Sequence, residues 1–136
     1  MRVVLDTNVL LSALITPAGP ADQVYRAWRG GVFDLASSEE QLVELRRVSR
    51  RPELRALLRP AEAGRLINLV RHLAVIVDPV PKVVLSADPL DDFLLGTALG
   101  AGAQYLVSGD KGGLLALRRI GTTRIVSVRQ FLREIG

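Results

Sequence analysis

The chain has no cysteine, one histidine, one methionine, one tryptophan and three phenylalanines among its 136 residues. Without cysteine there is neither a disulfide scaffold nor a thiolate metal site, and the composition is compatible with a reducing compartment. The lone His72 stands beside Leu69, Arg71 and Leu73 on a helical stretch remote from the acidic positions that matter most. It reads as structural, which leaves a Ser-His-Asp device without its base. Aromatic residues make up 4% of a chain that is 49% hydrophobic. The core must therefore be built from Val, Leu, Ile and Ala, which suits helices packed on a parallel sheet. No apolar run approaches the roughly eighteen residues of a membrane span, and the N-terminus meets a charged residue at once instead of running on as a signal peptide. The expectation is one cytoplasmic domain over residues 1–136, with a single substantial core and no membrane contact.

Lysine is nearly missing too: of 18 basic residues only two are Lys, against 14 acidic ones, for a net charge of +4. A positive excess carried by Arg favours polyanionic partners, because the guanidinium fork matches phosphate oxygens two at a time. An arginine-rich solvated surface accounts for the excess equally well.

Strand and helix signals alternate along the chain. Strands are expected at residues 3–5, 32–36, 75–77, 105–107 and 124–126, each short, apolar and rich in Val, Ile or Leu. Helices are expected at residues 7–14, 22–28 and from Ser38 onward, where Gln41 three residues later gives a capping-box pattern. Residues 52–73 form two helical pieces divided by Pro60, read as a hairpin outside the sheet. Further helices follow at 91–101, 114–119 and 128–135. Between them, Pro79, Pro81 and Pro89 mark an extended loop. This alternation predicts an α/β fold, a doubly wound sandwich with a mostly parallel sheet.

Against this background four acids, Asp6, Glu44, Asp91 and Asp110, recur at the ends of apolar runs or on the polar edge of a helix. Asp6 and Asp110 close strands, and ligands collect at the carboxyl ends of strands in such sheets. Two carboxylates about 4 Å apart repel by about 4 kcal/mol at an effective dielectric of about 20, which a hard cation reverses. Each acid alone has an ordinary account: Asp6 as a helix N-cap, Glu44 as part of a solvated helix face, Asp88, Asp91 and Asp92 as charges at a helix start. Together they suggest a shared metal site, with Thr7 and Asn8 as further oxygen donors. Glu44 lies between Val43 and Leu45, which places it near the interior, and Asp91 shares a helix side with Leu95 and Ala98, which turns it toward the sheet more than Asp92. Gly109 permits a tight turn before Asp110.

Five segments, VVLDTNVLLSA, SSEEQLVELRRV, DPLDDFLLGTAL, YLVSGDKGGLL and IVSVRQFL, resemble those of PIN-domain ribonucleases, specifically the stand-alone, VapC-like toxins of toxin–antitoxin pairs. They span almost the whole chain in the same order. The resemblance implies a PIN-like three-layer sandwich with a central, mostly parallel five-stranded sheet flanked by helices. It also implies a Mg2+- or Mn2+-dependent endoribonuclease. Asp6, Glu44, Asp91 and Asp110 would be the catalytic acids, with Asp6, Asp91 and Asp110 on the metal and Asn8, Ser108, Asp88 and Asp92 in support. Arg46, Arg47, Arg50 and Lys111 would hold single-stranded RNA. A cognate antitoxin is the partner implied; the apolar helical hairpin at 52–73 and Trp28 point to a homodimer, or equally to a surface that receives an antitoxin segment. The chain departs from its relatives at Gly112 and Gly113, where another acid is common, and this bears on a second metal position.

Two other readings compete. An aspartate-nucleophile phosphatase also begins with a strand-end Asp, but Asn8 stands where its general acid belongs. A PIN-fold module that binds RNA or a partner without turnover is the non-enzymatic alternative.

Overall fold

The computed structural model describes every residue except Ala87 and Lys111, and the backbone only of Leu90. The alternating apolar runs become six strands in the order β3-β2-β1-β4-β6-β5. They are β1 (Arg2–Leu5), β2 (Asp34–Ser37), β3 (Val75–Ile76), β4 (Tyr105–Val107), β5 (Arg119–Ile120) and β6 (Thr123–Val126). All neighbouring pairs are parallel except β5 with β6. Successive side chains alternate between the two faces. Val3, Leu5, Leu35, Val107 and Val126 enter one apolar cluster, while Val4, Ala36, Leu106 and Ile125 enter the other. Both faces of the sheet are thus buried, which is why its strands read as unbroken hydrophobic runs.

Helices α1 (Thr7–Ile15), α2 (Pro20–Arg29), α3 (Glu39–Ser49), α5 (Pro60–Leu73) and α8 (Val128–Ile135) cover the first face. Helix α6 (Pro89–Ala101) and the short α7 (Leu114–Leu117) cover the second. The expected hairpin outside the sheet is only half present. α4 (Pro52–Arg55) buries nothing, whereas α5 buries Ala63, Leu66, Ile67 and Val70 against α3 and β2. Trp28 is buried as well. These residues serve the chain's own core, while Leu57 and Leu73 of the same stretch remain exposed.

The sheet has six strands instead of the expected five. The additional strand lies where the helix at 114–119 was expected to continue. Arg118 adopts φ +62°, which ends α7 because a side chain there clashes in a helical path. Arg119 and Ile120 then fold back on Arg124 and Thr123 around Gly121 and Thr122, with Gly121 at φ +55°. A two-residue turn needs such a residue to match strand twist.

The long connection from β3 returns across the second face, and two glycines on α6 let it approach. A Cβ on Gly96 would lie 2.3 Å from the Pro81 carbonyl oxygen, and one on Gly100 would lie 2.6 Å from Val77. Since α6 carries Asp91, this contact also seats the site. Gly96→Ala is expected to destabilise the protein by about 1–3 kcal/mol through overpacking. Gly64→Ala on α5 meets nothing within 4 Å and should stabilise it by about 0.5–1 kcal/mol. Equilibrium denaturation of the two variants checks the contrast; equal effects would mean that the glycines of α6 are not there for packing.

Candidate active site

Pairing of β1 with β4 at the point where the strand order reverses places Asp6 and Asp110 at neighbouring strand ends. This is the crevice where open α/β sheets bind ligands. Asp6 is both the N-cap of α1 and a member of the site: its Oδ1 accepts from the Asn8 N–H at 3.2 Å and its Oδ2 from the Ser108 hydroxyl at 2.8 Å. Ser108 in turn accepts the Asp110 N–H at 3.1 Å, so one buried hydroxyl joins the two strand ends. The Asp110 carboxylate accepts from the Gly113 N–H at 3.1 Å. A Cβ at Gly113 would fall 2.1 Å from that carboxylate, so a glycine at this position is what lets the backbone close on Asp110.

Glu44 comes from α3, whose start is capped by the Ser38 hydroxyl on the Gln41 N–H. The side chain of Gln41 is wholly buried and donates to the Leu5 carbonyl at 2.6 Å, tying α3 to the end of β1. This locks the helix so that Glu44 faces the crevice, where it accepts a hydrogen bond from the Thr7 hydroxyl. Its burial does not come from both flanking residues, since Val43 points to solvent. Helix direction decides it: Leu45 and Val48 face the core and Glu44 lies on the margin of that face. Arg47 approaches Glu44 at 3.8 Å.

Asp6, Glu44, Asp88, Asp91 and Asp110 line one cavity of about 220 Å³ together with Asn8, Arg47 and Arg51. The four expected acids thus converge from β1, α3, α6 and β4. Asp91 is half-buried, and its N–H caps the Asp88 carbonyl at 3.0 Å. Asp92 turns away and accepts from the Ser86 and Leu85 N–H groups at 2.8 and 3.2 Å, closing the loop before α6. Arg46 and Arg50 line a separate cavity of about 410 Å³ between α3 and α5. Lys111 lies outside the described residues. Sequence reasoning missed Arg51 and Gln41; the first needs the fold of 49–52 to bring it round, and the second was seen only as a cap.

Crowding shows in the acidities. Burial, and then repulsion from Asp6, Asp88, Asp110 and Glu44, pushes Asp91 up to about 6. Burial also raises Asp6 against the lowering effect of Ser108, and raises Glu44 against that of Thr7. An all-oxygen, acid-rich donor set with this mutual repulsion fits a hard divalent cation. Among the described residues no three acids stand at metal-ligand spacing. Asp6, Glu44 and Asp110 are each held by a hydrogen bond within the chain, which ligation would have to exchange in part.

The Asp91 carboxyl titrates higher in the fold than the ordinary 3.8, so its contribution to stability is fully present below that ordinary value and is lost as pH rises through about 6. In chelator at about pH 8, Asp91→Asn should stabilise the protein by about 1–2 kcal/mol after allowance for solvent screening, and should flatten the fall in stability between about pH 4 and about pH 6. Denaturant unfolding across that range is the measurement. A variant with the wild-type pH dependence would place Asp91 outside the repulsive cluster.

The PIN domain family profile matches residues 2–112. None of the curated proteins is significantly similar in sequence. Among solved structures, the chain is similar to one described as VapBC2 from Rickettsia felis bound to a DNA fragment from their promoter. The identity is 15%, 93% of this chain and 98% of that one are covered, and the TM-score is 0.61. It is also similar to FitAcB from Neisseria gonorrhoeae, with 15% identity, the same coverage and a TM-score of 0.56. These neighbours support the fold, and with the profile spanning most of the sequence, the chain belongs to the PIN-domain family.

Proposed function

We propose that the protein is a metal-dependent endoribonuclease, the toxin of a toxin–antitoxin pair, that hydrolyses RNA phosphodiester bonds at the acidic crevice. PIN domains are generally nucleases, and the observation that carries the narrower reading is the convergence of Asp6, Glu44, Asp91 and Asp110 on one cavity from four separate elements. Structural stability does not call for such a cluster, since each buried carboxylate raises the cost of the next. The likeness to VapBC2 and FitAcB supports a cognate antitoxin protein as the partner.

A Mg2+ or Mn2+ ion, when bound by Asp6, Asp91 and Asp110, would supply charge to the phosphate and acidify an attacking water. The chain's own residues do the rest. Ser108 holds the Asp6 carboxylate in one orientation, and the Asp110 backbone is fixed to the same hydroxyl. Glu44, held by Thr7 and made more proton-seeking by burial, accepts the proton of the water. Arg47 and Arg51 at the cavity edge bind the non-bridging phosphate oxygens and offset the negative charge the substrate brings. Asp88 adds to the acidic field, while Asp92 acts through the loop it closes.

Purified protein free of antitoxin should cleave a mixed RNA pool with manganese or magnesium and not in chelator. Asp6→Asn and Asp91→Asn should each lower the rate by about a hundredfold or more, as removal of a transition-state electrostatic contact does. Cleavage unaffected by both substitutions would refute the site, and RNA binding without metal-dependent cleavage would favour a binding module.

A further inference from the structure

A second cavity, about 620 Å³ in volume, adjoins the acidic crevice at Asn8. Asn8 lines both cavities, and Ser108, whose hydroxyl holds Asp6, lines the second. Its walls are formed by Val9 of α1 and Val128 of α8, and its polar edge by Ser12 and Ser127. On its rim stand Arg129 and Arg133, one helical turn apart on α8, both exposed and without a carboxylate partner among the described residues. Arg124, by contrast, is paired with Glu134 of α8.

Aliphatic walls, a few hydroxyl and amide groups and two guanidiniums without a carboxylate partner among the described residues match the parts of a nucleotide: ring face, base edge and phosphates. Continuity through Asn8 and Ser108 puts that nucleotide next to whatever phosphate occupies the acidic crevice. We propose that this groove is a nucleoside subsite flanking the scissile phosphate of a single-stranded RNA, with Arg129 and Arg133 gripping the strand as it leaves the crevice. The proposal rests on the nuclease reading and adds to it a determinant of which base stands beside the cut. Arg47 and Arg51 line the acidic crevice and Arg129 and Arg133 the adjoining groove, so an anionic strand that occupies both meets cationic groups in each.

The test is binding of a single-stranded RNA of about eight nucleotides in chelator, on an Asp6→Asn background, with and without Arg129→Ala and Arg133→Ala. Both arginines are solvent-exposed, so the fold should persist, and thermal unfolding verifies that. Loss of the two contacts should weaken binding about tenfold or more at low salt. It should also make the dependence of log Kd on log salt concentration shallower by about 1.4. A single abasic residue walked along the RNA should reduce affinity at one position, and Ala21→Leu, which fills the groove from its α2 wall, should abolish that sensitivity. Affinity and salt slope unchanged in the double arginine variant, or no RNA binding before it is introduced, overturn the subsite, and a groove that instead receives a protein segment would give the first of these results. If native protein cleaves RNA in that case, the nuclease reading stands alone. If binding falls as expected while native protein cleaves no RNA with any divalent metal, the subsite stands and the nuclease reading falls.

Discussion

Everything at the candidate site depends on holding negative charges together where they repel. Asp6 is buried at the end of β1, beside the strand that leads to Asp110, and one hydroxyl, that of Ser108, keeps the two ends in register. Burial in a medium of low dielectric raises the free energy of every charge, and each further carboxylate adds to it. The chain offsets this locally, with Ser108 and the Asn8 N–H on Asp6, Thr7 and Arg47 on Glu44, and the Gly113 N–H on Asp110. Among the described residues no comparable donor reaches the Asp91 carboxylate, and burial with its acidic neighbours pushes it up to about 6.

The fold serves this arrangement. Gln41 fastens α3 to the end of β1 through the Leu5 carbonyl, so the helix that brings Glu44 is set by the strand that brings Asp6. On the other face, Gly96 and Gly100 let α6 press against the returning loop, and Asp92 closes that loop through two backbone N–H groups. Asp91 and Asp92 are adjacent in sequence and have different work because a helix turns successive side chains about a hundred degrees apart. Arginine stands beside the acids and in the groove next to them: Arg47 and Arg51 line the acidic cavity, Arg129 and Arg133 the adjoining groove. Basic groups so placed attract an anionic polymer while the acids remain available for a cation.

The strands and most helices were legible because their signals are local. Apolar runs such as 3–5 and 105–107, caps such as Ser38, and breakers such as Pro60 act within a few residues of themselves. The helix at 114–119 was not, because its end hangs on a single left-handed residue, Arg118, and on pairing with a strand later in the chain. For α5, the apolar stripe was read correctly and its destination was not: periodicity says that a face will be buried and is silent about what buries it. Val43 shows the same limit, being apolar, next to Glu44 and fully turned to solvent.

The sequence by itself determined the alternation that yields a two-sided parallel sheet, the four acids and the likeness to the PIN family, since residue type and order along the chain carry that information. The tertiary structure alone decided that the acids meet in one cavity. It also decided that Thr7, Ser108 and Gly113 are the groups that hold them, that Arg51 faces them while Arg46 and Arg50 do not, and that a groove with two free arginines lies alongside. Direction in space depends on strand order and helix rotation, which are set by contacts between residues far apart in sequence. Glu44 reaches Thr7 across 37 positions and Ser108 reaches Asp6 across 102, distances over which no local pattern can act.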